Sequence, residues 1–89
     1  MQWIITKCYF KPILHTWSQG NCKLEDIPIQ EKGKFRLLDD DGVEYFFGFM
    51  NRVQFDNADG NEAFEPLDAF GEAYGCTQMQ YWDDGWCVL

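Results

Sequence analysis

The run FRLLDDDGVEYFFGF, from Phe35 to Phe49, sets the strongest limit on what this chain can become. Two apolar, β-prone segments flank Asp40-Asp41-Gly42, and a glycine behind acidic turn formers is what a tight hairpin requires, since glycine takes positive φ without penalty. A three-residue loop with a bulge at Gly42 sets Phe35 opposite Phe47 and Leu37 opposite Tyr45. The odd positions Phe35, Leu37, Val43, Tyr45, Phe47 and Phe49 then share one face, and Leu38, Phe46 and Met50 take the other. A slip of one residue would move the whole set across the sheet, so this register is the central expectation for the fold. The three aspartates read as turn chemistry: they accommodate the turn backbone and keep its tip solvated, rather than acting on a substrate or a metal.

The remaining elements follow from periodicity and punctuation. Trp3 to Phe10 (WIITKCYF) is β-branched and aromatic, and predicts a strand. From Lys11 to about Gly33 the pattern breaks at Pro12, Ser18-Gln19-Gly20-Asn21, Pro28 and Gly33, which predicts a long loop with an extended piece near Ile27 to Gln30. The stretch Asp56 to Glu62 resembles a calcium loop only superficially, because counting back from Gly60 puts Phe55 in the first ligand position. Phe64, Leu67, Phe70 and Tyr74 recur at helical spacing. With Pro66 in the first turn, Asp68 near the positive end and Gly75 as a cap, a short helix runs from about Glu65 to Tyr74. Thr77 to Trp82, a turn at Asp83-Asp84-Gly85 and Trp86 to Leu89 form a second hairpin. The expected fold is a single α+β domain over residues 1–89. Residues 1–33 give a strand and a long loop, and 34–89 a hairpin–helix–hairpin unit. Its antiparallel sheet has about five strands, with one short helix packed on one face.

Arg36-Leu-Leu-Asp-Asp-Asp-Gly42, Pro66-Leu-Asp68 with Phe70-Gly71, and Gly75-Cys-Thr77 leading to Tyr81 and a terminal Gly-Trp hairpin form a spaced set. In these motifs the chain resembles a group of small proteins carried by phages and other bacterial mobile elements. The resemblance covers roughly residues 34–89. It implies a fold and a genetic setting, and it brings no catalytic residues with it.

Charge placement narrows the function classes. The net charge is −8, yet residues 1–52 hold seven basic and seven acidic side chains, while residues 53–89 hold eight acidic ones and no Lys or Arg. Such a field disfavours phosphate backbones and attracts basic surfaces, so direct nucleic-acid binding is not expected. No apolar run reaches the length of a membrane span and the first residues lack the form of a signal peptide, which points to the cytoplasm of a bacterial host and a reduced state for the cysteines. The four cysteines (Cys8, Cys22, Cys76, Cys87) show no Cys-x-x-Cys pair. A metal site would have to be assembled from Cys8, Cys22, His15 and one of Cys76 or Cys87, and is the weakest of the alternatives. One histidine, no phosphate-binding glycine loop and no distinguishable carboxylate pair argue against an enzyme, and no cofactor is expected.

The aromatic residues give the better lead. The first hairpin is apolar on both sides, and on the last one Met79 and Tyr81 share a face opposite Gln78, Gln80 and Trp82. One helix cannot cover both faces of a sheet. Either Ile13, Leu14 and Trp17 cover the second, or part of Phe46, Met50, Trp82 and Trp86 remains open as a contact patch. The expected function is a non-enzymatic, acidic protein-binding module that meets a basic partner surface. Its most concrete form is an inhibitor of a host defence nuclease or nucleic-acid-binding complex, of the anti-CRISPR or DNA-mimic kind. The contact residues expected are Glu65, Asp68 and Glu72 along one helical face, Asp83 and Asp84 at the hairpin tip, and Trp82 and Trp86 as anchors. A homo-oligomeric accessory protein is the alternative.

Overall fold

In a computed structural model that describes residues 1–9 and 19–89, every strand pairing is antiparallel. The strands are β1 (Trp3–Cys8), β2 (Gln19–Gly20), β3 (Lys32–Leu38), β4 (Glu44–Asn51), β5 (Gln78–Trp82) and β6 (Trp86–Val88). They form one six-stranded sheet in the order β2-β1-β4-β3-β5-β6, so the first strand lies between β2 and β4. The helices are α1 (Arg52–Asp56), α2 (Gly60–Ala63) and α3 (Glu65–Tyr74). This is the expected α+β domain with a sixth, two-residue strand at the edge. No helix among the described residues is long and apolar enough to cross a membrane.

The central hairpin corrects the expected register. Its loop is as anticipated: Asp39 N–H donates to the Val43 carbonyl at 3.0 Å, and Gly42 sits at φ 80°. The bulge lies elsewhere. Leu38 pairs with Glu44 but Leu37 pairs with Phe46, which leaves Tyr45 as the extra residue. Beyond it Phe35 faces Gly48, and Phe46 and Met50 join Phe35 and Leu37 while Phe47 and Phe49 turn to the opposite face. Phe35, Leu37, Phe46 and Met50 are all fully buried. The physical reason is shape: Gly48 lets the Phe35 ring lie across the strand, and a Cβ there would come within 2.8 Å of that ring.

Of the three aspartates, two hold the turn together. Asp39 Oδ1 accepts from the Asp41 and Val43 amides at 2.9 Å each. These bonds, Val43 first, hold its carboxyl below the usual range. Asp40 accepts from the Thr77 hydroxyl at 2.6 Å, which fastens the turn to the start of β5.

The helices come from local capping plus one apolar stripe. Asn51 Oδ1 accepts from Gln54 N at 3.1 Å and opens α1, and Asp59 Oδ1 accepts from Glu62 N at 2.8 Å and opens α2. Both short helices occupy a region expected to be strand end and loop. α3 has the predicted bounds, with Pro66 in its first turn and Gly75 at φ 80° closing it. Its stripe of Leu67, Phe70 and Tyr74, with Phe64 before it, packs on a core of Trp3, Ile5, Phe35, Leu37, Phe46, Met50, Phe55, Ala63, Cys76 and Met79. All three helices thus contribute to one side of the sheet. The long early segment is partly ordered by turns: Leu24–Asp26 and Ile29–Glu31 are single 3₁₀ turns, so only Ile27 and Pro28 are extended where a longer piece was expected. Phe10, Ile13, Leu14 and Trp17, expected to end the first strand or cover the second face, lie outside the described residues.

Candidate functional site

Register alone determines what the strands present on the face opposite the described helices. Residues directly opposite one another point to the same side, so Lys7 joins Phe47, Lys34 joins Phe49, Arg36 joins Phe47 and Gln80, and Trp82 joins Trp86. A bulge at Thr6 in β1 keeps Lys7 on this side after Ile4.

The rings form a connected row. Phe49 meets Phe47 with centroids 5.4 Å apart, Phe47 meets Trp86 at 6.3 Å, and Trp86 meets Trp82 at 5.5 Å. Each contact is edge-to-face, the geometry that aromatic quadrupoles favour. Each ring also carries a cation. Lys32 Nζ lies 5.9 Å from the Phe49 centroid, Lys7 Nζ 5.7 Å from Phe47, Lys34 Nζ 5.6 Å from Trp82, and the Arg36 guanidinium 4.3 Å from Trp86. Arg36 is locked in place: Nε and Nη2 donate to Gln80 Oε1 at 2.9 and 2.6 Å, and Nη1 donates to Glu44 Oε1 at 3.2 Å. Four of the six cations among the described residues therefore sit on one face, and Glu44 is the one carboxylate among the strand residues that share it. Trp82 is 42 % exposed, and Phe47, Phe49 and Trp86 are half-buried.

The structure divides the seven residues expected to bind a partner into two groups. Trp82, Asp83, Asp84 and Trp86 stand together at the β5–β6 turn, where Asp84 takes φ 58° and is exposed. Asp83 lies 3.6 Å from Arg52, whose guanidinium also holds Asp56 at 2.8 Å and donates to the Trp82 carbonyl at 3.0 Å. Arg52 thus clamps the turn to α1. Glu65, Asp68 and Glu72 are on α3, across the sheet from the tryptophan pair. Asp68 and Glu72 are exposed, whereas Glu65 Oε1 accepts from Trp3 Nε1 at 3.0 Å and from Asn21 Nδ2 at 3.2 Å. Glu65 fastens the early segment to the helix and is already partnered.

Phe47, Phe49, Lys7, Lys32, Lys34 and Arg36 were absent from the expected site. The signal was present in the sequence: Lys32, Lys34 and Arg36 occupy alternate positions of one strand, which puts them on one side of any sheet containing it.

Among the described residues no group of three or more His, Cys, Asp or Glu side chains is arranged to hold a metal, and His15 lies outside them. Cys22 follows β2, its thiol against the Trp3 carbonyl of β1, while Cys87 is on β6 at the far edge of the sheet, with β4, β3 and β5 between. Those two cannot share an ion. Burial, with Asp39 and Cys8 nearby, pushes the Cys76 thiol up to about 11. It therefore stays protonated and unreactive near neutral pH. Iodoacetamide applied near the ordinary thiol pKa of ~8.5 is expected to modify Cys76 last of the four, read by peptide mapping. Labelling of Cys76 as fast as Cys87 would contradict the packing around it.

Comparison with protein-family models, with curated proteins and with solved structures returns no match for this chain.

Proposed function

We propose that the chain is a non-enzymatic binding module whose contact surface is the face of the sheet opposite the described helices, built for a negatively charged partner. The observation that carries this reading is the matched set of four cations and four rings on that face. Exposed cation–π contacts are worth only about 0.5–1 kcal/mol each, so folding gains little from the arrangement, while binding gains orientation and charge. The overall charge of −8 does not cancel it. The carboxylates of α3 lie on the other side of the sheet, and Glu44, the one carboxylate among the strand residues of this face, is paired with Arg36, while Asp83 and Asp84 stand at its β5–β6 end. Along the strands a partner meets four cations.

A polyanion column tests this directly. The parent chain is expected to be retained on heparin at low ionic strength, against the sign of its net charge. Lys7→Glu combined with Lys34→Glu is expected to flow through. Both lysines are exposed, so the pair changes binding and not stability. Failure of the parent to be retained would remove the reading.

A second reading rests on Asp68 and Glu72, exposed on α3 in a segment that contains no Lys or Arg. Through that side the module contacts a basic protein, as an inhibitor of a nucleic-acid-handling complex would in the mobile-element setting that the motifs suggest. Reversing Asp68 and Glu72 to Lys is then expected to weaken partner capture by more than about tenfold without unfolding the domain. Unchanged capture by a folded double variant would assign the carboxylates to solubility alone.

A further inference from the structure

We infer that the sheet face takes single-stranded nucleic acid, one base on each of several rings, with the flanking cations on the phosphates. The inference rests on the reading of that face as a surface for an anionic partner, and it adds the chemistry of that partner. A surface for anions in general needs cations alone. Here every cation is interleaved with a ring, and the rings form a row from β4 through β6 to the exposed Trp82. Aromatic platforms flanked by Lys and Arg bind unpaired strands because every base offers a π-face, at about 1–3 kcal/mol per stacked base. Duplexes do not offer those faces.

The ring orientations agree with a splayed strand. Neighbouring rings meet edge-to-face, at interplanar angles of 87°, 87° and 79°, so bases seated on successive rings cannot lie parallel. A bound segment must therefore unstack. Arg36, pinned by Gln80 and Glu44, stays over Trp86 within the row, while the exposed lysines Lys7 and Lys34 remain able to swing from ring to phosphate. The expectation against nucleic acid rested on the acidic excess of residues 53–89, which holds eight carboxylates and no Lys or Arg. The fold instead leaves one carboxylate, Glu44, among the strand residues of this face, and that carboxylate is paired with Arg36.

The test is titration of the full chain with a twelve-nucleotide oligothymidylate at about 50 mM salt, following tryptophan emission. Saturable quenching is expected. About three lysine or arginine contacts give a salt slope near −2, so affinity should fall roughly twentyfold between ~50 and ~200 mM salt. Lys7→Glu with Lys34→Glu should weaken binding by at least about tenfold. Trp82→Leu should weaken it while leaving heparin retention intact, which a purely electrostatic surface would not show. Heparin retention without quenching by the oligonucleotide overturns this inference and leaves the anionic-partner reading standing, with an acidic protein as the occupant. Equal affinity for a duplex of the same length also overturns it, since stacking would then play no part. So does concentration-dependent self-association, seen in sedimentation, that the oligonucleotide does not reverse.

Discussion

Phe46→Ala is expected to destabilise the domain by about 3–5 kcal/mol, while Phe47→Ala costs about 1 kcal/mol or less. The two residues are neighbours of identical type in the same strand, so the contrast isolates the direction in which each points. Phe46 is fully buried and packs edge-on against Tyr74 at 5.1 Å and against Phe70 at 6.1 Å. Its loss leaves a cavity between the sheet and α3 that neither strand nor helix can fill by moving. Phe47 is half-exposed on the far side, between Phe49 and Trp86. Urea unfolding of both variants reads the difference. Equal costs, or a larger cost at Phe47, would restore the hairpin register in which Phe35 faces Phe47.

That register shows where the sequence was legible and where it was not. α3 could be read to the residue, because Pro66, the Leu67/Phe70/Tyr74 spacing and Gly75 each specify helix for an independent reason. The Asp-Asp-Gly loop and the β5–β6 hairpin were legible on the same grounds. Within Tyr45-Phe46-Phe47-Gly48-Phe49, however, apolar residues occupy both parities and periodicity gives no preference. The choice is made by long-range fit of Phe35 over Gly48 and by the Tyr45 bulge, neither of which has a local signature. α1 and α2 were missed because capping by Asn51 and Asp59 outweighs weak propensity over four or five residues. The candidate site was half legible. Trp82 and Trp86 stood out by residue type, but their basic companions Lys34 and Arg36 come from β3, which only the sheet order brings beside β5.

Gly48→Ala is the second large effect, expected to cost about 3 kcal/mol for the addition of one methyl group. A Cβ at this position would lie 2.2 Å from the Ile4 carbonyl oxygen and 2.8 Å from the Phe35 ring. Phe35 is fully buried and cannot turn aside, and the carbonyl belongs to the β1 backbone paired with β4. Relief requires the first strand to move away from the centre of the sheet. Gly60→Ala provides the control, because nothing lies within 4 Å of a Cβ built there. Thermal unfolding should separate the two clearly. A Gly48→Ala melting temperature matching that of Gly60→Ala would mean that β1 and β4 do not approach as closely as described.

The place of β1 in the sheet also orders events in time. β3 and β4 are joined by a tight turn and can zip locally, as can β5 and β6, but Trp3 finds Met50 only across a sequence separation of 47. Closing so long a loop is entropically costly before any contact compensates it. Until then β4 presents an unsatisfied rim of amides and carbonyls, and the Trp3 and Ile5 side chains are missing from beneath α3. The strand that precedes all the others in the sheet is thus among the last to find its place. Weakening β1 should accordingly hasten the loss of the native state far more than it slows its formation.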